Sequence, residues 1–446
     1  MPPTTLCRAA LAAIALTACG GGDSTGPSGT RAFKGFQFVF YPEVVFVGAG
    51  DTLRVNVQLQ DTTGRPRTEY PVTFVSSDPS LLSVDSVVHG TIPAGPLQGS
   101  PGDVALIHSR GAGVAKVTLT VLATAPASPR DTIRLTVPVT ILPAPTRTSR
   151  TSLPLEQNAA QIVRSGTSLL VMGHVENMGE NWGMRGELPD PTFGVVFRGG
   201  GTTLVPNTAG TAIYSAALRY DLASGQVVTQ PQSLDGAVKD QAVSADDQRL
   251  FVVTDKNRLY ALDATTLETL GPSWLLPFDA LGGAPYAMIR HPWQPLLYVS
   301  GDDDVKEIDM ATGQVERTLQ TGGRTRNLAI APDGRWLYVG NAGHVSGEPA
   351  SLQVWDLTTN SLVKDLPIWG TPTAVRINPQ GTRVYVGSEP PGRLYELDTG
   401  TLEFTRMYLQ SMENPGDAAF LPDGTSLAVI MRAWGGVYRG YVDVIR

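Results

Sequence analysis

Short runs of alternating apolar and polar residues cover most of the chain after residue 35, and Gly, Pro or Asp separates one run from the next. Residues 53–59, LRVNVQL, alternate at every position. A period of two places every second side chain on the same face, which is the pattern of a half-buried strand. The 446 residues include 48 Gly and 34 Pro, a composition that suits many short strands joined by turns. We therefore expect an all-β chain that is long enough for two or three domains.

Residues 35–143 carry about seven such strands, the number typical of a β-sandwich. Besides residues 53–59, the clearest strand patterns fall at residues 72–74, 82–85, 113–119 and 133–137. No constellation of catalytic residues accompanies them.

Three segments of this region resemble the bacterial immunoglobulin-like group 2 family. They are DTTG at residues 61–64, VTFVSSDPS at residues 72–80 and GVAKVT at residues 113–118. The resemblance implies an immunoglobulin-like sandwich that acts as a spacer or as an adhesive module.

Residues 147–446 repeat a single unit, whose clearest copy reads LAIAPDG, WLYVGN, LQVWDLTTN and LVKDL between residues 328 and 366. The aspartate that ends the third strand recurs at Asp221, Asp263, Asp309, Asp356 and Asp398, at separations of 42, 46, 47 and 42 residues. Four strands in a period of this length are the signature of propeller blades. We count six blades, or seven if the long insertion at residues 174–212 hides a degenerate one.

The marks PDGxxxYV, at residues 332–339, and DxxTG, at residues 309–313, resemble those of the YVTN family of β-propellers. This resemblance implies the architecture but no particular function. The last repeat ends one strand short, while residues 151–155 resemble the fourth strands of other repeats. We expect this N-terminal segment to complete the last blade and so to remove an unpaired edge.

The first residues indicate export. Arg8 precedes an apolar stretch, residues 9–16, that is too short to span a membrane as a stable helix. Residues 16–19, LTAC, resemble the lipobox of bacterial lipoproteins, which implies a signal peptide at residues 1–18 and lipidation of Cys19. The alternative is an ordinary secretory signal with an incidental cysteine. Residues 19–34 then form a flexible tether. In a cell that has an outer membrane, Gly20 after the cysteine favours delivery to that membrane.

Composition and motifs disfavour several kinds of chemistry. A net charge of −7 and a pI near 5.3 argue against a nucleic-acid partner. The only cysteines are Cys7 and Cys19, so the rest of the chain can form neither a disulfide nor a cysteine-ligated zinc site. We find no GxSxG, HExxH or Walker motif, and His174 with Glu176 is a weak pair of metal ligands. We therefore predict no catalytic residue, no metal and no cofactor.

Polar residues that precede the innermost strands should surround the mouth of the central channel. They are Asn158, Asp240, Gln241, Tyr286, Arg326, Asn327 and Asp417. Convergent polar groups at a concave mouth favour a ligand-binding site, although solvated channel residues give the same pattern. A second predicted set consists of partner-binding residues on or near the variable loops, Trp182, Trp274, His344 and Trp434.

We expect a lipid-anchored envelope protein whose propeller binds a protein or glycan without catalysis. The alternative is a propeller hydrolase, lyase or lactonase at the channel mouth. It requires Asp240, Arg326 and Asp417 to lie close together, and the pKa values of the two aspartates to be shifted. A purely structural role in the envelope is a third reading. The sequence leaves open the ligand, the oligomeric state and the side of the outer membrane that the protein faces.

Overall fold

The structure, a computed structural model, describes residues 36–42, 45–93, 97–111, 113–125, 128–153, 158–175, 180–188, 191–201, 203–278, 285–343, 350–389, 392–409, 413–433 and 440–446. Two compact units divide the chain between Ala144 and Pro145, and each is described by itself. The predicted signal peptide, Cys19 and the tether lie outside the described residues, as do His344 and Trp434. Within the described ranges, no helix has the length and apolar character needed to cross a membrane.

The first unit is a sandwich of two four-stranded sheets that share one core. One sheet contains β1 (Phe36–Tyr41), β3 (Thr52–Asp61), β5 (Leu82–Thr91) and β6 (Pro101–Ser109), in the order β1-β3-β6-β5. The other contains β2 (Val45–Gly48), β4 (Val72–Ser76), β7 (Ala115–Ala125) and β8 (Ser128–Leu142), in the order β2-β8-β7-β4. The pairing of β2 with β8 is parallel, and the other pairings are antiparallel.

Alternation along β3 directs Val55, Val57 and Leu59 into this core, where each is at most 2% exposed. They pack with residues of the opposite sheet such as Leu119 and Ile141. Complete burial of a side chain of this size contributes about 1.5–3 kcal/mol. The sequence pattern located β3, β4, β5, β7 and β8 but did not single out β1, β2 or β6. The immunoglobulin-like class of the sandwich stays a prediction.

The second unit is a β-propeller, in which the described residues form seven four-stranded sheets. We number them as blades 1–7 and give the strands of each from the channel outward. Blade 1 contains β10 (Asn158–Ser165), β11 (Ser168–Val175), β12 (Glu180–Glu187) and β13 (Gly194–Arg198). Blade 2 contains β14 (Val205–Pro206), β15 (Ala212–Ser215), β16 (Leu218–Asp221) and β17 (Val227–Thr229). Blade 3 contains β18 (Val238–Val243), β19 (Arg249–Thr254), β20 (Arg258–Asp263) and β21 (Trp274–Leu275).

The remaining blades follow the same antiparallel order. Blade 4 contains β22 (Met288–Arg290), β23 (Leu296–Ser300), β24 (Asp304–Asp309) and β25 (Val315–Gln320). Blade 5 contains β26 (Thr325–Ile330), β27 (Trp336–Asn341), β28 (Ala350–Asp356) and β29 (Ser361–Ile368). Blade 6 contains β30 (Thr371–Ile377), β31 (Arg383–Glu389), β32 (Arg393–Asp398) and β33 (Glu403–Leu409). Blade 7 contains β34 (Glu413–Phe420), β35 (Leu427–Ala433), β36 (Gly440–Ile445) and β9 (Arg147–Ser152).

The count of six blades is therefore corrected to seven, the alternative that the insertion at residues 174–212 left open. The sequence pattern treats this segment as one long loop, but it contains the outer strands β12 and β13 of blade 1 and the first strand β14 of blade 2. Strand β12 reads ENWGMRGE and β14 has two residues. Neither shows an apolar alternation, so the period-of-two signal is missing from both.

The third-strand aspartates stabilise the turns that follow them. Strands β16, β20, β24, β28 and β32 end at these residues. In blade 3, Oδ1 of Asp263 accepts hydrogen bonds from the backbone N–H groups of Thr265 and Thr266, both at 2.8 Å. The other four aspartates accept bonds in the same way. Their role is that of an Asx turn repeated in successive blades.

Strand β9 closes the ring by adding the outer strand to blade 7. It pairs antiparallel with β36, from Ser152 opposite Tyr441 to Arg147 opposite Ile445. The sequence pattern placed this segment a few residues too late, at residues 151–155. The side chain of Asp443 in β36 is completely buried and accepts two hydrogen bonds from Arg150, both at 2.6 Å. Because β9 reads RTSRTS and is largely exposed, backbone pairing and this ion pair hold it in place.

We predict that Asp443→Ala lowers the free energy of unfolding of the propeller by about 1–2 kcal/mol, because it removes two charge-assisted hydrogen bonds to Arg150, whose partly exposed side chain is then hydrated. Scanning calorimetry of the variant measures the loss. Asp365→Ala, at an exposed position of β29, is the matched control and should change stability by less than about 0.5 kcal/mol. An unchanged propeller transition in Asp443→Ala would contradict a role for this ion pair in ring closure.

Candidate functional site

The innermost strand of each blade lines the central channel. In blades 1, 3, 5, 6 and 7 its register against the second strand shifts near the start of the strand. Such a bulge inserts a residue that has no cross-strand partner and redirects the neighbouring side chains. The shift lies between Val238 and Asp240 in blade 3 and between Thr325 and Asn327 in blade 5. This local irregularity brings polar side chains to the channel at equivalent places.

These strands enclose a cavity of about 570 Å³. This volume lies within the range of about 300–1,000 Å³ that is usual for small-ligand sites. Six of the seven predicted channel-mouth residues line it, namely Asp240, Gln241, Tyr286, Arg326, Asn327 and Asp417. The seventh, Asn158, is the first residue of β10 and lies opposite His174. It is not among the residues that line the cavity, and its side chain lies outside the described part. The structure thus brings six of the residues together, and ligand binding by them stays a prediction.

Asp240 links blades 3 and 4. Its Oδ1 accepts a hydrogen bond from the N–H of Gln241 at 2.8 Å, and its Oδ2 accepts one from the N–H of Met288 at 2.7 Å. Desolvation by the surrounding protein raises the pKa of Asp240 to about 6. The two backbone bonds and the positive charge of Arg376 oppose this rise, whereas the negative charge of Asp417 adds to it. Asp240 therefore changes its charge close to physiological pH, unlike an ordinary aspartate.

Asp417 links blade 7 to blades 1 and 6. Its Oδ2 accepts a hydrogen bond from the N–H of Ile162 at 3.2 Å. Nη2 of Arg376 lies 2.7 Å from Oδ1 and 2.8 Å from Oδ2 of the same carboxylate. Nε of Arg376 donates to the carbonyl of Ala418 at 3.2 Å. The side chain of Asp417 is only 4% exposed, so this is a nearly buried ion pair in the wall of the channel.

A second polar group lies between blades 4 and 5. The hydroxyl of Tyr286 donates to Oδ1 of Asp302 at 2.7 Å, and Nε of Arg324 lies 3.4 Å from the same oxygen. Desolvation, followed by the hydrogen bond to Asp302, raises the pKa of Tyr286. The guanidinium of Arg326 lies 5.8 Å from the centre of the Tyr286 ring, within the range of a cation–π contact. Among the described residues, Arg326 has no hydrogen-bonding or ion-pair partner.

Sequence reasoning missed part of the cavity wall. The missed polar residues near the starts of the innermost strands are Gln161, Thr203, Thr373 and Arg376. Arg376 stands two residues beyond Ala374, the position in blade 6 that corresponds to Asp240 in blade 3. Since alternate residues of a strand share a face, an alignment carried two residues further would have located it.

Trp182, one of the predicted partner-binding residues, lies in a strand rather than on a variable loop. This side chain lies in β12, is 6% exposed, and has the guanidinium of Arg198 4.3 Å from its ring centre. Its face is therefore covered and cannot stack on a ligand. Trp274 lies in the two-residue strand β21, is half-buried and packs against Gly313. A tryptophan that the prediction passed over, Trp293, is 74% exposed in the turn after β22.

The weak metal-ligand pair is only partly within the described residues. Nδ1 of His174 lies 3.1 Å from Oδ1 of Asn181, and Glu176 is outside the described part. In the ranges that the structure describes, no three His, Cys, Asp or Glu side chains form a group that could hold a metal ion.

No protein-family model and no curated protein matches this chain. Among solved structures, the chain is similar to hydrazine synthase of Kuenenia stuttgartiensis, with a TM-score of 0.53 and 14% sequence identity. The match covers 64% of this chain and 95% of the other. At this level of identity the likeness supports the fold and carries no information about function.

We predict that Asp240 makes the stability of the fold depend on pH. Because its pKa is raised on folding, its contribution is fully present below the unfolded value near 3.8 and is lost as the pH rises to about 6. The side chain in Asp240→Asn cannot titrate. Calorimetry should therefore show that the unfolding temperature of the wild type, relative to Asp240→Asn, falls between about pH 4 and pH 6 and is constant above about pH 6.5. A difference that grows over the same interval would contradict the desolvation of Asp240.

Proposed function

We propose that this protein is an exported, lipid-anchored protein of the bacterial cell envelope whose propeller binds a protein or glycan ligand at the mouth of its central channel. The lipobox-like LTAC at residues 16–19 supports attachment through Cys19. The likeness of residues 35–143 to immunoglobulin-like group 2 modules supports a spacer between the tether and a propeller of the YVTN type.

The observation that carries this proposal is the cavity of about 570 Å³ with its converging polar groups. Three arginines, two aspartates and several amide and hydroxyl groups face one concave space. A cavity with a few well-placed polar groups is the default binding site of a protein of unknown function. The predicted loop residues supply less support, because Trp182 is covered.

Binding is favoured over catalysis because the carboxylates are already occupied. Both oxygens of Asp240 accept backbone N–H groups, and the oxygens of Asp417 face Arg376 and the N–H of Ile162. A general base needs a free oxygen within reach of its substrate. The alternative, a hydrolase, lyase or lactonase at the channel mouth, draws its support from the pKa of Asp240 near 6.

The lipid anchor gives a direct prediction for Cys19→Ser. Each buried methylene of an acyl chain contributes about 0.8 kcal/mol to membrane attachment, so loss of the acylated thiol should release the protein. Metabolic labelling with an alkyne fatty acid and cell fractionation should show an unlabelled product outside the membrane pellet. Cys7→Ser, within the proposed signal peptide, is the matched control and should stay labelled and membrane-bound. A labelled Cys19→Ser product would contradict the anchor.

A bulky residue in the channel should weaken ligand binding. Thr203 lines the cavity from blade 2, whereas Thr229 is exposed on the outer strand β17 of the same blade. Protein from residue 31 onward would be incubated with envelope polysaccharides and protein extracts. We expect Thr203→Trp to lose at least about tenfold in binding, the effect of about 1.4 kcal/mol, and Thr229→Trp to bind like the wild type. Equal binding by both variants would place the ligand elsewhere.

A further inference from the structure

At the channel mouth the carboxylate oxygens face N–H groups or a cation, whereas two donors have no acceptor among the described residues. The oxygens of Asp240 and Asp417 already face backbone N–H groups and Arg376. Arg326 presents a guanidinium that has no acceptor among the described residues. Nε2 of Gln241, a residue that lines the cavity and is 1% exposed, likewise has none there. Arg326 is exposed, so its N–H groups are hydrated in the free protein and are open to a ligand that brings oxygen acceptors.

The charges in the cavity favour a ligand with a single negative charge. Three arginines, Arg290, Arg326 and Arg376, line the cavity together with two aspartates, Asp240 and Asp417. The lining is therefore net positive, in a chain whose net charge is −7. A doubly charged phosphate would be repelled by the two carboxylates of the lining, Asp240 and Asp417. A ligand with one negative charge is repelled less and needs only one unpaired cation. Arg326 and Arg290 have no carboxylate partner among the described lining residues, since Arg376 is paired with Asp417 and Arg290 donates to two carbonyl oxygens and the Thr208 hydroxyl. Of the two, Arg326 is the one beside Tyr286.

The geometry at Arg326 matches a planar anion. Its guanidinium lies against the ring of Tyr286, and the hydrogen bond of Tyr286 to Asp302 holds that ring in place. An arginine presents its N–H groups as a rigid fork that fits the two oxygens of a carboxylate. We propose that the channel mouth binds a carboxylate-bearing ligand, with Arg326 as the anchor of the carboxylate. This inference rests on the proposed binding function and names the chemistry of its ligand.

Two sources supply such a group, an acidic sugar and a small organic acid. Titration calorimetry of the full chain in detergent would compare galacturonic acid trimer with the neutral galactose trimer, and would use succinate and inorganic phosphate as further probes. We expect the acidic trimer to bind at least about tenfold more tightly than the neutral one, the size of one charge-assisted hydrogen bond. Succinate as tight as the acidic trimer would identify the carboxylate alone as the recognised group. A preference for the trimer would identify an acidic sugar.

Substitutions at the anchor separate a specific contact from a general positive field. Arg326 is exposed, so Arg326→Gln should fold. An unchanged unfolding temperature in calorimetry would confirm that it does. We expect Arg326→Gln to weaken binding of the carboxylate probes at least about tenfold and Arg326→Lys to weaken it less, because lysine keeps the charge but not the fork. Arg258→Gln, on the third strand of blade 3, removes the same charge away from the cavity and should bind within about twofold of the wild type.

Three results would overturn the inference. They are equal affinity for the neutral and acidic trimers, unchanged binding by Arg326→Gln, and no binding of any carboxylate probe up to about 10 mM, which corresponds to less than about 3 kcal/mol. Preferential binding of phosphate over the carboxylates would also overturn it. None of these results decides the proposed binding function, which depends on whether Thr203→Trp and Thr229→Trp differ in ligand capture.

Discussion

The pairing of β9 with β36 is the interaction on which the channel depends. Without it, β36 would present unpaired N–H and C=O groups at an open sheet edge. The closing strand contributes almost no apolar burial, so the buried carboxylate of Asp443 and its bonds to Arg150 add stabilisation where the hydrophobic effect does not. At the inner end of the same blade, Asp417 bonds to the N–H of Ile162 in blade 1. Closure is therefore made at both the outer and the inner strand.

The same side chains hold the ring together and define the candidate site. Asp240 and Asp417 each accept a backbone N–H of the following blade, which positions neighbouring innermost strands against one another. This structural use occupies the carboxylates that a catalytic reading would require. It leaves Arg326, placed beside the bulge in β26 and against Tyr286, as a cation whose donors face the channel without a partner among the described residues. The ligand chemistry of the site is therefore determined by Arg326, whose guanidinium makes none of the hydrogen bonds that join the blades among the described residues.

Local signals made much of the fold predictable. The aspartates from Asp221 to Asp398 mark their turns through bonds to residues two and three positions later, so the repeat period is visible in the sequence. The sequence pattern merged blades 1 and 2 into one repeat, because β14 and β15, the strands of blade 2 that precede the strand of Asp221, are only two and four residues long. The channel-mouth residues could be aligned on a common turn, and the same alignment carried two residues further reaches Arg376, but no signal in the sequence pairs Arg376 with Asp417. Arg376 lies 41 residues earlier, and only the juxtaposition of two blades brings the charges together.

The central claim is that ligands bind at the channel mouth rather than on the outer surface of the blades. A photo-reactive amino acid placed at Asn327, which lines the cavity, tests it most directly against one placed at Leu362, which is 43% exposed on the outer strand of the same blade. Both proteins would be irradiated in intact envelopes, and crosslinked products would be identified by mass spectrometry. The account predicts that position 327 captures a discrete envelope ligand and that position 362 does not. Capture at position 362 with none at position 327 would contradict it.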